Sequence, residues 1–210
     1  PYNTVSSFAL HPLYIRLSDV GYLRDENDRR EMEALQEELN ALPEMDYERV
    51  VKAKMKYLRK MYELLGPRCM ESKSYRDFEK QNRSWLMPYA VFSVLRDKYS
   101  TANFEEWKTF SKFIEKRCAA FAERNEHEVG FYYYVQYHLD RQLRKVRDYL
   151  HSKGVGLKGD LPIGVSRTSV DVWQNPELFD VRSSAGAPPD DFSAEGQNWG
   201  FPIYNWEKMA

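Results

Sequence analysis

The chain has 210 residues, and its 31 Lys and Arg residues nearly balance its 32 Asp and Glu residues, leaving a formal net charge of −1. This balance argues against nucleic acid or an anionic membrane surface as a partner, because both require a basic face. The apolar runs are too short to cross a bilayer, and Cys69 and Cys118, the only two cysteines, fit a reducing compartment, so we expect a cytosolic protein.

The first predicted elements are a short strand and two helices. The segment LYIRL at residues 13–17 has the composition of a strand. From Asp25 to Leu42, apolar residues at spacings of three and four predict a surface helix, which Pro43 ends. A second helical period runs from about Asp46 to Leu65, and the pair Gly66-Pro67 is expected to stop it.

Start signals predict three more helices in the middle of the chain. Ser74 followed by Asp77 three residues later resembles a capping box that opens one helix. Pro88 stands where it could begin the next helix. Asn103 and Glu106 form a second plausible box, and the apolar residues from 107 to 121 would follow it on one helix.

The last long helix is predicted from about Val129 to Lys153, with Gly154 as its C-cap. His127 and His138 flank this region among acidic residues, which raises the question of a metal site. Their spacing of eleven is not the i, i+4 pair that a helical zinc site needs. We therefore interpret His138 as a polar member of a helix face and expect no metal.

The sequence changes in character after Gly154. Residues 155–165, VGLKGDLPIGV, predict a strand that ends in a loop. A helix, a glycine and a strand ending at an acidic residue form the pattern of a (β/α) barrel, where strand ends carry the chemistry. Asp160 occupies such a position. A turn aspartate before Pro162 explains the same residue, and spacing alone leaves both interpretations open.

Residues 166–206 have almost no periodicity but are rich in aromatic rings. Long ordered loops of this kind are usually functional. A sugar has apolar C–H faces and hydroxyl edges, so its site needs aromatic platforms beside planar polar groups. The loop supplies both kinds of residue: Phe192, Trp199, Phe201 and Tyr204 as platforms, and Asp190, Gln197 and Asn198 as polar partners.

Some of these rings have a simpler explanation. A ring near the end of the loop can anchor it to the rest of the fold instead of facing a ligand. We expect this role for Phe201, Tyr204 and Trp206, which lie close to the next predicted element.

Several blocks of the sequence resemble the amylomaltase, or disproportionating-enzyme, family of 4-α-glucanotransferases, glycoside hydrolase family 77. The blocks are PYNTVSSFALHPLYI at the start, GDLPIGV at 159–165, SVDVW at 169–173, PELF at 176–179 and GAPPDDFSAEGQNWGFPIYNW at 186–206. RSWLMPYAVFSVLRDKY at 83–99 and FYYYVQYHLDRQL at 131–143 are similar to the branch that includes the plant cytosolic disproportionating enzyme and related bacterial enzymes.

The resemblance implies an α/β fold, here a partial (β/α)8 TIM barrel segment with a large helical insertion. Residues 1–20 would hold an early barrel strand and a sugar-binding loop. Residues 21–153 would be the mainly helical insertion. Residues 154–210 would hold a barrel strand followed by a loop that covers the glucan. All three parts would belong to one larger catalytic domain.

The resemblance also implies a retaining enzyme that moves α-1,4-glucan segments between maltooligosaccharides without a cofactor or a metal. Its nucleophile and acid lie in motifs such as Arg-x-Asp-His and Glu-Asp-Leu-Gly, and a third aspartate lies in a His-Asp pair. None of these motifs occurs in this sequence. The chain therefore resembles only the front part of the enzyme, and we expect no catalytic residue in it.

The family's binding residues carry over to six positions. Tyr2 matches a tyrosine near the scissile sugar, and Asp160 matches the strand-end aspartate that hydrogen-bonds the sugar at the cleavage point. The remaining matches lie in the mobile loop that covers the glucan: Asp190, Phe192, Gln197 and Trp199. One position departs from the pattern, because Asp191 stands where the family usually has a tyrosine.

Two other classes of function stay open at this point. The segment could be a non-catalytic glucan-binding module, or a helical interaction domain whose loop aromatics are only structural. A continuation of the reading frame that carries the catalytic motifs would favour the enzyme, whereas a natural stop soon after Ala210 would favour one of the others.

Overall fold

A computed structural model describes residues 4–159, 163–191 and 193–209, and these residues are mostly helical with a few short strands. The helices are α1 Glu26–Asn40, α2 Tyr47–Met70, α3 Lys73–Tyr99, α4 Glu115–Arg124, α5 Glu126–Ser152, α6 Val170–Gln174 and α7 Trp206–Met209. The strands are β1 Phe179–Asp180, β2 Gly186–Ala187, β3 Gln197–Asn198 and β4 Ile203–Tyr204. β1 pairs with β4 and β2 with β3, both antiparallel.

The chain forms two compact units. The helical unit contains residues 10–86 and 127–157. The loop-bearing unit contains residues 4–9, 87–126 and the described residues from 158 to 209. No helix in the described part of the chain combines the length and the apolarity that a membrane crossing needs.

Aromatic side chains from α2, α3 and α5 form the core of the helical unit. The ring of Tyr62 lies 5.7 Å from that of Phe131 and 5.4 Å from that of Tyr134. Tyr75 meets Tyr137 edge-to-face at 5.2 Å. Such pairs contribute about 0.5–1.5 kcal/mol beyond the burial of their area. The helical period of these rings therefore determines which faces of the three helices meet.

The long α5 helix agrees with the predicted helix at 129–153, and its C-cap is confirmed at Gly154. Gly154 has a φ of +70°, a backbone conformation that glycine adopts without strain. The N–H of Gly154 donates to the carbonyl of His151, and the N–H of Val155 donates to that of Leu150, at 3.0 and 2.9 Å. These two bonds form a Schellman motif, which satisfies carbonyls that the helix end leaves without partners.

The predicted strand at residues 13–17 is wrong. Two 3-10 turns, Pro12–Tyr14 and Leu17–Asp19, enclose a short extended stretch around Ile15, which is only 1% exposed. A side chain takes the place of a neighbouring strand, because the Lys54 ammonium donates to the carbonyls of Leu13 and Ile15. Burial lowers the pKa of Lys54. The apolar residues of LYIRL thus mark a docked segment and not a sheet.

Two glutamines of α5 hold the same segment by its backbone. The Gln136 carboxamide accepts from the N–H of Leu10 at 2.9 Å and donates to the Leu10 carbonyl at 2.8 Å. The Gln142 carboxamide makes the same pair of bonds to Arg16, at 2.8 and 2.9 Å. Each carboxamide therefore bonds to a backbone N–H and C=O in the way that a residue of a neighbouring strand would. The backbone groups of Leu10 and Arg16 thus have partners without a sheet.

The helix predicted between Asp25 and Leu42 is confirmed as α1, Glu26–Asn40. The stop predicted for α2 at Gly66-Pro67 is wrong. α2 continues to Met70. Gly66 is buried, and a Cβ there would lie 2.6 Å from the Tyr62 ring, so this glycine permits close packing inside the helix. Pro67 costs one backbone hydrogen bond, which the packing of the surrounding helix offsets.

The predicted start signals of α3 are also wrong. The helix begins at Lys73 after Ser72, whose hydroxyl accepts from the N–H of Tyr75 at 3.3 Å. Ser74 instead shares a hydrogen bond of 2.7 Å with the Tyr137 hydroxyl. Pro88 does not open a helix, since it is buried within a single α3 that runs to Tyr99.

Asn103 and Glu106 do bond to each other, but not through the reciprocal bonds of the predicted capping box, and they open a 3-10 turn and not a long helix. The Asn103 side chain donates to the Glu106 carboxylate at 2.6 Å and accepts from the N–H of Glu105 at 3.4 Å. The turns Phe104–Glu106 and Lys108–Phe110 follow, and the next helix, α4, begins only at Glu115.

Three large rings form the centre of the loop-bearing unit. Phe92 lies 4.8 Å from Trp107 and 5.8 Å from Trp173, and the two indoles are 5.8 Å apart. Each indole N–H has a carbonyl partner, that of Thr101 for Trp107 and that of Phe110 for Trp173, at 3.0 and 2.9 Å. The rings therefore bury their area without leaving a polar atom unpaired.

The strand predicted over 155–165 is wrong in its first part. Residues 155–159 are irregular and exposed, and 160–162 lie outside the described residues. Val165 does pair, through a single parallel bridge to Thr4. The described residues thus support an α/β class with mostly helical content.

Candidate functional site

Two separate parts of the sequence meet in the loop-bearing unit. Besides the bridge between Thr4 and Val165, the N–H of Ser166 donates to the Thr4 carbonyl at 2.9 Å. The Ser7 backbone and hydroxyl both donate to the Asp171 carboxylate, at 3.1 and 2.5 Å. Residues 4–7 and 163–171 therefore form one floor, joined by backbone and side-chain bonds.

The aromatic loop rests on this floor at Gly164. The Phe201 ring is only 4% exposed, and a Cβ at position 164 would lie 2.3 Å from a carbon of that ring. Only glycine permits this approach. Phe201 is thus an anchor, as predicted. Tyr204 is half-buried, whereas Trp206 is 69% exposed, so the predicted anchoring role of Trp206 is wrong within the described residues.

The floor is next, along the sequence, to two of the six predicted binding positions. Tyr2, Asp160 and Phe192 lie outside the described residues. Tyr2 comes two residues before Thr4, and Asp160 comes four residues before Gly164. The structure therefore brings together the segments next to Tyr2 and Asp160, while their own positions stay predictions.

Trp199 and Gln197 form a polar and aromatic pair at the surface. The Trp199 indole N–H donates to the Gln197 carboxamide oxygen at 2.9 Å, and 44% of the Trp199 residue is exposed. One side of the ring approaches Phe201, with centroids 5.9 Å apart and planes tilted by 31°. The Gln197 oxygen is engaged by the indole, so its NH2 group is the part suited to an incoming hydroxyl.

Asp190 lies in the same loop but shapes a turn. Its carboxylate accepts from the N–H of Ser193 at 2.8 Å, and the Ser193 hydroxyl donates to the Gly196 carbonyl at 2.6 Å. Gly196, with a φ of +76°, then returns the chain to β3. The described contacts do not bring Asp190 to Gln197 or Trp199, and the neighbouring Asp191 is exposed.

The three described site residues present a carboxylate, a carboxamide and an indole, groups that can bind a sugar. Retaining glycoside chemistry uses two carboxyl groups about 5–5.5 Å apart, and the described contacts of Asp190, Gln197 and Trp199 include no such pair. Residues 4–159, 163–191 and 193–209 also contain no cluster of three or more His, Cys, Asp or Glu side chains placed to hold a metal ion.

His138, the residue that raised the metal question, is a core residue. It is 5% exposed and lies between the rings of Tyr134 and Tyr137, at 4.4 and 5.4 Å. Burial, with a smaller effect of Arg141, lowers the pKa of His138 to about 4. The side chain is therefore neutral near pH 7.

Sequence reasoning missed two residues that organise the site. Asp171 stands in the SVDVW block, but its partner Ser7 is distant in the sequence. No local pattern therefore indicates the bonds between them. Arg167 was also missed, because it lies between the GDLPIGV and SVDVW blocks and its partners are distant in the sequence. Its guanidinium binds the backbone on both sides of the aromatic loop.

Comparisons with known proteins agree on one family. The family model described as 4-alpha-glucanotransferase, glycoside hydrolase family 77, matches residues 1–210. The chain is 41% identical over 213 residues to the 4-alpha-glucanotransferase DPE2 of Oryza sativa subsp. japonica. It is 32% identical over 213 residues to the 4-alpha-glucanotransferase of Chlamydia muridarum. Both alignments cover all of this chain, but only 22% and 40% of the two relatives.

Two solved structures of amylomaltases share the fold of this chain. The amylomaltase from Streptococcus agalactiae in complex with acarbose superimposes with a TM-score of 0.78 at 26% identity, covering 99% of this chain and 43% of that one. The amylomaltase from Corynebacterium glutamicum superimposes with a TM-score of 0.74 over 97% of this chain and 28% of its own; at 20% identity it supports the fold alone. The chain thus spans less than half the length of these relatives.

Proposed function

Because the chain belongs to the 4-alpha-glucanotransferase family, we propose that it is the front part of an enzyme that transfers α-1,4-glucan segments between maltooligosaccharides. The reaction is a double displacement with retention at the anomeric carbon. A carboxylate attacks that carbon, a carboxylic acid protonates the leaving oxygen, and the 4-hydroxyl of an acceptor sugar then displaces the enzyme. The rest of the protein supplies both carboxyl groups.

In this proposal the chain provides part of the sugar-binding surface. The observation that carries it is the surface pair of Trp199 and Gln197 beside the buried anchor Phe201. Trp199 presents an aromatic platform to a sugar face, and the Gln197 NH2 group binds a hydroxyl at its edge. Asp160 and Tyr2, on segments adjoining the floor, contact the sugar at the cleavage point.

Asp190 and Phe192, which come shortly before Gln197 in the sequence, complete the proposed binding residues. Asp190 already accepts a hydrogen bond from Ser193, and a carboxylate has further acceptor sites for a sugar hydroxyl. The acarbose complex of the Streptococcus agalactiae amylomaltase shows that a protein of this fold takes an oligosaccharide analogue. That complex supports maltooligosaccharides as the substrate class.

We further propose that these residues belong to a (β/α)8 barrel. The parallel bridge between Thr4 and Val165 supports it, because strands that follow one another around such a barrel are parallel. The cytosol is the proposed compartment. Cys69 is half-buried, Cys118 is buried, and both are unpaired, which suits a reducing environment.

The test of the proposed function is an assay of the complete protein with maltotriose. We expect glucose and longer maltooligosaccharides in matched amounts, because transfer conserves the number of glycosidic bonds. Proton NMR should show that the anomeric configuration is retained, because the reaction is a double displacement. Release of glucose without longer products would indicate a hydrolase. Binding of maltotriose without any turnover would indicate the glucan-binding module instead.

Trp199→Ala in the complete protein tests the platform. We expect a loss of about 1–3 kcal/mol in maltooligosaccharide binding, because the sugar loses its aromatic surface. The melting temperature should change by only a few degrees, since loops lie outside the core. Binding by calorimetry and thermal unfolding, measured on the same preparation, separate the two effects.

Trp173→Ala is the matched control, because it removes the same side chain from the buried centre of the loop-bearing unit. We expect it to cost about 3–5 kcal/mol of stability. If Trp199→Ala instead shows a large fall in melting temperature while the surviving folded enzyme keeps its activity, Trp199 is an anchor and the platform role is wrong.

A further inference from the structure

We infer that Arg167 is a positioning residue, whose guanidinium fixes the two arms of the aromatic loop so that Trp199 is held in place for the glucan. The loop meant here runs from Val181 to Phe201. This inference rests on the proposed function for its catalytic consequence, but the structural part is independent of it. Nothing in the likeness to known proteins assigns a role to this residue.

The Arg167 side chain binds four acceptors on the loop. Its Nε donates to the carbonyl of Gly200 at 3.1 Å. Its Nη1 donates to the carbonyl of Val181, and its Nη2 donates to the Ser183 carbonyl and the Ser184 hydroxyl at 2.7 and 2.5 Å. One planar group thus joins the outgoing arm at 181–184 to the returning arm at 200.

The chemistry requires arginine at this position. A guanidinium has five N–H donors in a rigid fork, whereas a lysine ammonium is a point charge with three donors. Within the described residues, no carboxylate lies at ion-pair distance from Arg167, and its hydrogen-bond partners there are neutral carbonyls and a hydroxyl. Its effect is therefore one of geometry and not of charge neutralisation.

The position of Arg167 links the loop to the floor. It follows Val165 and Ser166, which are bound to Thr4, so its backbone belongs to the floor segment. Its side chain reaches the loop, which rests on the floor again where Phe201 packs on Gly164. The guanidinium and the Phe201 ring thus attach the loop at two separate points.

The bond to the Gly200 carbonyl is the one that bears on Trp199. Gly200 has a φ of +79°, and a Cβ there would meet nothing within 4 Å, so packing does not restrain this residue. The neighbouring backbone is also held by bonds from the Trp199 N–H to the Ala185 carbonyl and from the Ala185 N–H to the Phe201 carbonyl, at 2.9 and 3.0 Å. The Gly200 N–H donates to the Asn198 side chain at 2.9 Å, which leaves Arg167 as the partner of the Gly200 carbonyl. Without Arg167, the Gly200 carbonyl, in the peptide that joins Gly200 to Phe201, would lose its guanidinium donor, one residue after Trp199.

Loss of Arg167 should weaken the binding of the donor sugar more than it slows the chemical step of transfer. The described hydrogen bonds of Arg167 go to residues 181, 183, 184 and 200, none of which is a proposed sugar-binding residue, so it acts through the backbone that carries Trp199. In Arg167→Lys we expect the KM for maltooligosaccharide donors to rise about fivefold to twentyfold, with kcat changing less than about twofold, because loss of uniform binding raises KM alone.

The experiment compares Arg167→Lys with Arg182→Lys in the complete protein. Arg182 is the matched control, because it lies in the same loop but its side chain is 93% exposed and its nearest carboxylate, Asp180, is 3.8 Å away. Hydrogen exchange is measured on peptides covering residues 181–201, alongside KM and kcat for maltotriose. We expect faster exchange in that region and the rise in KM for Arg167→Lys only.

Two results would overturn the inference. One is an Arg167→Lys protein whose exchange at 181–201 and KM match the wild type. The other is a fall in melting temperature with an unchanged KM, which would make Arg167 merely structural. If Arg167→Lys does not fold, Ser184→Ala removes a single acceptor, and we expect it to raise KM about twofold, since one of four bonds is lost; an unchanged KM there also counts against the inference.

The two hypotheses fail in different ways. A wild-type protein without transfer activity refutes the proposed function, while the exchange measurement still decides whether Arg167 holds the loop. An active wild type with an unaltered Arg167→Lys variant refutes only the positioning role.

Discussion

On its own, the 210-residue chain is expected to form no glucose and no longer maltooligosaccharides from maltotriose. Retaining transfer needs a nucleophilic carboxylate and a carboxylic acid about 5–5.5 Å apart, and the motifs that carry them are absent from this sequence. Enzymes accelerate such reactions by about a million-fold or more, so the loss should reach the uncatalysed rate. Product analysis by anion-exchange chromatography after long incubation measures this.

A folding control makes that result informative. Circular dichroism of the isolated chain should report the long helices α2, α3 and α5 if it folds alone. The complete protein at the same molar concentration supplies the positive control. Formation of matched glucose and maltopentaose by the purified chain would show that it holds a catalytic pair after all.

Asp160→Ala in the complete enzyme is expected to lower kcat/KM for maltooligosaccharides by about 30- to 1,000-fold. A carboxylate that binds a sugar hydroxyl makes a charge-assisted bond, and its loss should cost about 2–4 kcal/mol at the transition state. Steady-state kinetics with maltotriose and maltoheptaose measures the change, and circular dichroism checks that the fold is retained.

Asp77→Ala is the control for removal of an aspartate, because Asp77 is exposed on α3 and has no proposed role in binding. We expect its kcat/KM to match the wild type. Should Asp160→Ala stay within about threefold of the wild type, or less than about 0.7 kcal/mol, Asp160 would be only a turn residue before Pro162.

The elements that depend on local signals could be predicted from the sequence. α1 and α5 follow from their apolar periods, and the C-cap at Gly154 follows from the freedom of glycine at positive φ. The loop around Trp199 and Gln197 was also predicted, because turn residues exclude both helical and strand periods there. In these cases, neighbours in sequence determine the structure.

The elements that depend on distant contacts could not be predicted. Gly66 resembles a helix stop, but it leaves room for the buried Tyr62 ring, whose position depends on Phe131 and Tyr134 of the distant α5. The stretch around Ile15 resembles a strand, but the ammonium of Lys54 binds its carbonyls. The role of Arg167 depends on carbonyls at least fourteen residues away, which no local pattern contains.

The glutamine pairs of α5 have a consequence for which substitutions the fold tolerates. Gln136 and Gln142 contact the N–H and C=O groups of Leu10 and Arg16, groups that nearly every residue type possesses. Substitutions at positions 10 and 16 are thus compatible with these bonds, except for a change to proline, which lacks the N–H. Positions 136 and 142 do not tolerate substitution in the same way, because these bonds need the glutamine side chain. Glutamate lacks the donor, and asparagine is one methylene shorter.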